Sequence, residues 1–404
     1  MMKNGLTEEI EDRYLAGTYQ KIPVVAARAK GTKMWDMNGK EYFDFMSGYG
    51  VAILGHSNNA ITEAIKKQVD EIYITHTSVY SPARARFLRE FMNVTPTGLN
   101  MAYLSNSGAE AIEAALKIAV KSTKRKKIIS MEKGYHGKTL GALSITHSAK
   151  YRSSFEDMLI PGVEFVKFGD YEHVHTLLKK EDVAAVFMEP IQGEGGINLP
   201  DPQFLPSVRE ATSSYGTLLV MDEIQSGLGR TGKMWAHENW GITPDIMTIG
   251  KGIGGGIPMG VTVGKREFVE SLGIGEQSST TGGNPLSCAA GEVVIKELRN
   301  GMIKRASEMG KYTLQRMNEE TDSHRLVSQT RGIGMMLAME LRVRFVPILM
   351  DMIDLGLITL YSGINTIRML PPYTVSKEEV DRAIEILKTA LDQYIKKQGR
   401  NDQK

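Results

Sequence analysis

Four places along the chain set reactive or ligand-binding side chains where an apolar run gives way to a helix or a turn. Ser105-Asn106-Ser107-Gly108-Ala109-Glu110-Ala111 opens a helical segment, and unpaired N–H groups at Gly108 and Ala109 would point at an anion with the positive end of the helix dipole. An ordinary Ser/Asn cap reads equally well locally. Gly134-Tyr135-His136-Gly137-Lys138 places an aromatic ring between glycines, suited to stacking on another flat ring, or a turn aromatic with no ligand. Asp222 directly follows the apolar run 218–221, at the strand end where ligands sit in open α/β sheets. In Ile249-Gly250-Lys251-Gly252 a single lysine ends a buried run. Partly withdrawn from water, it favours the neutral amine that condenses with a carbonyl; taken alone, it could equally be a snorkelling surface lysine.

Together, an anion nest, a stacking ring, a carboxylate and an amine, each at a strand end, describe a site for pyridoxal phosphate. Asp222 would keep the ring nitrogen protonated, and Lys251 would take the aldehyde. Competing motifs fail on context. Gly227-Leu228-Gly229-Arg230-Thr231-Gly232 and Gly250-Lys251-Gly252-Ile253-Gly254-Gly255 match the dinucleotide pattern, but five residues separate the first from its strand and Pro258 blocks a helix after the second. Gly232-Lys233 continues into Met234 where a P-loop needs Ser or Thr. His173-Val174-His175, read as strand, could share a metal, yet no third ligand accompanies the pair, so a surface position is expected and no metal site.

The elements that must position these residues follow from periodicity. Short apolar runs at 101–104, 127–131, 164–168, 184–188, 218–221, 246–249 and 260–263 alternate with amphipathic segments, a βαβ rhythm that predicts a mostly parallel sheet covered by helices. In 109–120, Ile112, Ala115, Leu116, Ala119 and Val120 form one buried helical face. Residues 33–36 and 41–45 form a hairpin turning at Asn38-Gly39. From Cys288 the chain becomes helix-rich, with strand-like pieces at 334–341 and 366–369, and ends in a long amphipathic helix from Lys377.

The chain has 404 residues, 49 basic and 47 acidic, 24% charged and 42% hydrophobic: ordinary globular composition. A net charge of +2 argues against a nucleic-acid or anionic-membrane partner. Lys124-Arg125-Lys126-Lys127 is the only dense basic run and reads as a solvated helix end. Acids at Glu8, Glu9, Glu11 and Asp12 leave no apolar core for a signal peptide in residues 1–14, and no run reaches the ~20 apolar residues of a span. One cysteine, Cys288, excludes an intrachain disulfide; the cytoplasm is the expected compartment.

Asn106-Ser107-Gly108-Ala109-Glu110-Ala111, Tyr135-His136-Gly137, Glu189-Pro190-Ile191-Gln192-Gly193-Glu194-Gly195-Gly196, Asp222-Glu223-Ile224-Gln225-Ser226-Gly227, Arg230-Thr231-Gly232, Gly250-Lys251-Gly252, Thr280-Thr281-Gly282-Gly283-Asn284-Pro285 and Ile367-Arg368 occur in one order along the chain. In that order and near those spacings the sequence resembles the fold type I, class III aminotransferases, the family of acetylornithine, ornithine, putrescine and 4-aminobutyrate aminotransferases. The resemblance runs from about residue 22 to about residue 391. It implies an α/β fold: a large pyridoxal-phosphate domain, 46–287, with a mostly parallel seven-stranded sheet, and a smaller α+β domain from 1–45 and 288–404.

By the same resemblance, Lys251 carries the cofactor and moves the proton between substrate and cofactor carbons. Asp222 partners the ring nitrogen, Gln225 lies near the phenolic oxygen, Tyr135 stacks on the ring, and Ser107, Gly108 and Ala109 hold the phosphate. Thr280 matches a phosphate ligand that reaches across from a second subunit, which implies a homodimer with shared active sites. Glu194 and Arg368 match a switch pair: the glutamate covers the arginine while the amine is bound, then releases it to a dicarboxylate. Tyr49, Lys138 and Ser279 fall on the substrate side. The implied reaction takes the terminal amine of acetylornithine, ornithine or a similar donor to 2-oxoglutarate, giving a semialdehyde and glutamate. Diamine or 4-aminobutyrate donors are alternatives, and a racemase or aminomutase would use the same Lys251 and Asp222.

Three departures stand out. Lys138 replaces a common arginine, a point charge in place of a planar fork. Thr281 stands where an aromatic is common, which would widen the pocket. The segment 341–356 is short, as in the acetylornithine branch and its relatives that act on carrier-protein-linked intermediates.

Overall fold

The computed structural model describes residues 4–401; residues 1–3 of the acidic N-terminal stretch and 402–404 of the last segment lie outside the described residues. Its centre is a seven-stranded sheet in the order Met101–Ser105, Gly260–Gly264, Ile246–Ile249, Leu218–Asp222, Val183–Met188, Lys127–Met131 and Val163–Val166. All run parallel except Gly260–Gly264, which pairs antiparallel with both its neighbours. The strands Val183–Met188, Leu218–Asp222 and Ile246–Ile249 are buried along their whole length, which explains their largely apolar sequence. Alternation along each strand sorts the core: Ile129, Val186, Met188, Leu219 and Met221 pack on one face, and Ile128, Ala185, Phe187, Leu218 and Val220 on the other.

The helix Gly108–Thr123 covers the second face; Ser107 caps it by accepting the Glu110 N–H at 3.2 Å. Its buried side is broader than the expected stripe, taking in Ala111, Ala114 and Ile118, whereas Val120 is 36% exposed in the last turn. Arg125 also departs from the expected solvated helix end. Its guanidinium donates to the carbonyls of Val183, Tyr215 and Gly216 and so ties the helix exit to two strand starts. His173 and His175 lie on the helix Tyr171–Leu178 and not on a strand; His173 is exposed, and His175 stacks on Tyr171 with ring centroids 5.6 Å apart. Asp170 caps that helix through the His173 N–H, a local signal stronger than the two-residue His spacing.

Around the central sheet lie two four-stranded sheets. In one, the hairpin Lys33–Asp36 and Glu41–Asp44 turns at Gly39, φ 84°, and pairs in parallel with Leu357–Ile358, joining the two ends of the chain. Its outer strand, Ala26–Lys30, is mostly exposed. The other sheet runs Val327–Ile333, Met336–Leu341, Thr366–Met369, Leu360–Ser362. The helix Lys377–Asn401 closes the C-terminal half. A division at 287/288 passes through the helix Pro285–Glu297, and the chain next breaks direction at Gly301, φ 115°. Among the described residues, no helix is long and apolar enough to cross a membrane.

Candidate active site

Parallel strands end on one edge, and that edge collects the chemistry. A cavity of ≈ 220 Å³ is lined by Gly108, Ala109, Tyr135, Lys138, Glu194, Asp222, Gln225 and Lys251, together with His136, Gly137, Glu189 and Ile224. Lys251 follows Ile246–Ile249 through Gly250 and sits at φ 49°, a left-handed conformation uncommon for a residue with a side chain. Burial pushes its pKa down, against the opposing pull of Glu194, Asp222 and Glu189. Among the described residues nothing pairs with its amine.

Asp222 ends its strand nearly buried. One oxygen accepts the Ile224 N–H at 3.0 Å, and the other lies 2.7 Å from His136 Nδ1. Burial depresses the His136 pKa, but the hydrogen bond to Asp222 together with the charges of Asp222 and Glu189 outweighs it and leaves the imidazole easier to protonate than usual. This carboxylate is thus oriented by a histidine that sequence reasoning left unassigned.

Glu189 was missed as well, although the signal was there: it stands at the end of Val183–Met188 as Asp222 stands at the end of its own strand, and Met188 pairs with Met221 across the ladder. Its oxygens accept the N–H groups of Tyr135 (3.1 Å) and Gly193 (3.0 Å). Burial raises its pKa to about 7, His136 opposing and Asp222 adding to the rise. A carboxyl that protonates more readily folded than unfolded adds stability at low pH; that increment is complete below its ordinary 4.5 and gone once pH passes about 7. The expected loss across that window is on the order of 3 kcal/mol. His136 acts with the same sign, so the comparison must be with Glu189→Gln: melting temperatures of that variant should fall less between pH 4.5 and 7 than those of the parent. Parallel slopes would reject the assignment.

Arg368 lies on Thr366–Met369, fully buried. Its guanidinium donates to Glu194 Oε1 at 2.8 Å, to the Gly193 carbonyl at 2.9 Å, to the Tyr361 carbonyl at 3.1 Å and to Gln225 Oε1 at 3.4 Å. Glu194 keeps 30% of its side chain exposed. Burial would raise its pKa, but Arg368 more than compensates and holds the carboxyl below its ordinary range. A Cβ at Gly193 would displace the Gln225 carboxamide, which reaches Arg368. Tyr135 stands beside this pair, its phenol pushed up to about 12 by burial first and by Glu194 next.

The remaining expected residues lie at the margins. The amides of Gly108 and Ala109 have no acceptor among the described residues, as the first turn of a helix requires, while the Ser107 hydroxyl donates to Glu110. Lys138 is exposed, its Nζ 4.5 Å from the centroid of the Tyr151 ring. Tyr49 is 48% exposed and feels the charges of Glu194 and Arg368. Ser279 and Thr280 are outside the cavity lining: Ser279 accepts from Asn106 Nδ2 at 2.8 Å, and Thr280 is exposed. Thr281 donates to Asn106 Oδ1 at 2.9 Å, so the hydroxyl that departs from the common aromatic braces the anion-nest loop.

A buried amine and a buried, oriented carboxylate at neighbouring strand ends of a seven-stranded α/β sheet define a fold type I pyridoxal-phosphate transferase. More narrowly, residues 14–391 match the family described as aminotransferase class-III, and the chain belongs to it. It is 38% identical, over 95% of its length and 89% of the relative's, to the [LysW]-aminoadipate semialdehyde transaminase of Deinococcus radiodurans. With the acetylornithine aminotransferase of Methanocaldococcus jannaschii it shares 35% identity, covering 94% of this chain and 96% of the relative. The ornithine aminotransferase structure from Toxoplasma gondii superposes with a TM-score of 0.93 at 28% identity, covering 98% of this chain and 97% of that one. The protein is an aminotransferase, and pyridoxal phosphate is its cofactor. The residues fit that group: a free amine, a carboxylate held by a histidine, two free amides, and a glycine at 250 whose Cβ would crowd Gly108 Cα at 3.2 Å.

Proposed function

We propose that the enzyme moves the terminal amino group of acetylornithine, ornithine or a similar amine to 2-oxoglutarate, producing a semialdehyde and glutamate. The observation that carries this reading is the Glu194–Arg368 pair. A fully buried arginine whose only carboxylate among the described residues is a partly exposed glutamate can be covered and uncovered. Covered, it presents no charge to an amine end; uncovered, it grips a dicarboxylate. A racemase or aminomutase has no use for that alternation. The names of the acetylornithine and LysW-linked relatives support a terminal-amine donor.

When bound, the cofactor supplies the aldehyde and the electron sink. Lys251 would take the aldehyde and carry the proton between carbons, Asp222 would hold the ring nitrogen protonated with His136 fixing the carboxylate's direction, and Tyr135 would cover the ring face. Gln225 would border the phenolic oxygen, and Ser107, Gly108 and Ala109 would receive the phosphate; Tyr49, Lys138 and Ser279 fall on the substrate side. A second chamber of ≈ 600 Å³ shares Tyr135 and Glu194 with the first and favours a donor with a long tail, including a carrier-linked one.

The site works as a homodimer in this reading, with Thr280 reaching the partner's phosphate. Support comes from the exposed Ile72, Tyr73, Ile74, Val79 and Tyr80, and from Arg84, which ties the carbonyls of Thr75 and Val79 to that of Gly283 beside Thr280. The unit 46–287 would carry the cofactor and the two chain ends would form the smaller domain, in the cytoplasm, where the buried, unpaired Cys288 needs no oxidant.

A panel of amine donors with 2-oxoglutarate, read as glutamate formed, tests the proposal. Acetylornithine, ornithine or a longer ω-amine should exceed putrescine and 4-aminobutyrate by about tenfold or more in kcat/KM, the discrimination of one well-placed polar contact. Faster turnover of putrescine or 4-aminobutyrate would move the assignment to those branches.

A further inference from the structure

Between the strand Glu41–Asp44 and the helix Asn59–Glu71 the backbone does something rare. Ser47, Gly48, Tyr49 and Gly50 stand in succession at φ 50°, 59°, 62° and 82°. That is a full left-handed turn, and two of its members carry side chains that disfavour the conformation. Glycine at 48 and 50 accounts for half of it; something must hold Ser47 and Tyr49 there.

The holder is Asp44. Asp44 is completely buried, and its Oδ1 accepts the N–H groups of both Met46 and Ser47 at 2.9 Å. Its Oδ2 lies 2.6 Å from His56 Nε2, and His56 is itself fixed by a backbone bridge to Gly31. On the inner side the turn has no slack: a Cβ at Gly50 would meet Leu370 Cδ1 at 3.2 Å and Arg230 Nη2 at 3.8 Å. Leu370, two residues beyond Arg368, donates its N–H to the Phe45 carbonyl. The turn is therefore clamped between a buried carboxylate and the strand that carries Arg368. Its product is the placement of Tyr49 directly before Gly50, which abuts Leu370 just past the strand that carries Arg368, and there the charges of Glu194 and Arg368 reach its phenol.

We propose that Asp44 and His56 are positioning residues for substrate recognition: they hold Ser47–Gly50 left-handed so that Tyr49 walls the space into which Glu194 must open and the oxo acid's carboxylate must enter. This rests on the reading of Tyr49 as a substrate-side residue. Without the clamp the turn relaxes to an ordinary conformation, the ring leaves the mouth, and the cofactor cavity, to which neither Asp44 nor His56 belongs, is untouched.

The test uses the cofactor-loaded enzyme. Asp44→Asn should raise the KM for 2-oxoglutarate by about tenfold, the change expected for loss of one hydrogen bond to a charged group. Cofactor absorbance and the amine half-reaction should stay within about twofold. Adding Ser47→Gly to Asp44→Asn should recover most of the loss, because glycine takes the left-handed form unaided. His56→Gln leaves the carboxylate in place and should give a smaller rise in the same KM, which keeps the proposal testable if Asp44→Asn folds poorly. Equal losses in both half-reactions, or no rescue by Ser47→Gly, would overturn the positioning role. Tyr49→Ala separates the two readings. If it raises the oxo-acid KM while Asp44→Asn and His56→Gln do not, the clamp is wrong and Tyr49 stands; if it changes neither KM, the reading of Tyr49 itself fails.

Discussion

Lys251→Ala should abolish turnover and leave the cofactor bound only noncovalently. The cavity holds one other amine, Lys138, which is exposed and directed over the Tyr151 ring. Lys251 combines withdrawal from water, which favours its neutral form, with a strained left-handed backbone that fixes where its side chain starts. Its removal deletes both the carbonyl-condensing amine and the group that carries the proton, so the loss should exceed the ~10²–10⁴-fold of a general base alone. The measurement is single-turnover absorbance, with borohydride fixation of the cofactor followed by peptide mapping. Fixation at another lysine in the variant, as strong as in the parent at Lys251, would sink the assignment. So would retention of measurable turnover at a few per cent of the parent's rate.

Lys251 and Asp222 are legible in the sequence for a topological reason. In a parallel sheet every strand's C-terminal end lies on one edge, so a polar residue directly after each apolar run must meet the others. The same logic applied to Glu189 would have found it, for Met188 and Met221 are ladder partners; but ladder order is not a property of either strand's own sequence. His136 is a clearer limit. Its neighbour Tyr135 signals the loop, yet the 2.7 Å contact to Asp222 depends on two crossovers bringing distant segments to the same depth.

The fold divides along similar lines. Fully buried strands announce themselves by short apolar runs, and the hairpin by Asn38-Gly39. Ala26–Lys30, an exposed edge strand of small and basic residues, carries no such mark. The reversed direction of Gly260–Gly264 is equally silent, because its five residues are buried like their parallel neighbours. The turn at Ser47–Gly50 shows glycines at alternate positions and a local Asp44 acceptor, but the segments that enclose it, His56 on Asp44 and Leu370 on Phe45, come from farther along the chain. Ser279 was legible as a site residue by resemblance alone; within one subunit it and Thr281 both bond Asn106.

Arg368→Ala tests what the enzyme does with its second substrate. The arginine is fully buried, and of its contacts only the 2.8 Å bond to Glu194 is to a charged group that can move toward solvent. If that bond opens to admit 2-oxoglutarate, the variant should lose the oxo-acid half-reaction by roughly 2–4 kcal/mol, or ~30- to 1,000-fold in kcat/KM. Conversion of the enzyme to its amino form by the amine donor should persist, because in that half-reaction Arg368 is covered. A purely structural ion pair makes the opposite forecast: alanine there strands Glu194 and the Gly193 and Tyr361 carbonyls, and harms folding or both half-reactions together. Stopped-flow spectra of each half-reaction, taken separately, decide between them. Proton exchange at the substrate carbon that is rapid and needs no oxo acid would point instead to a racemase, in which Lys251 and Asp222 keep their places and the Glu194–Arg368 pair has no switch to perform.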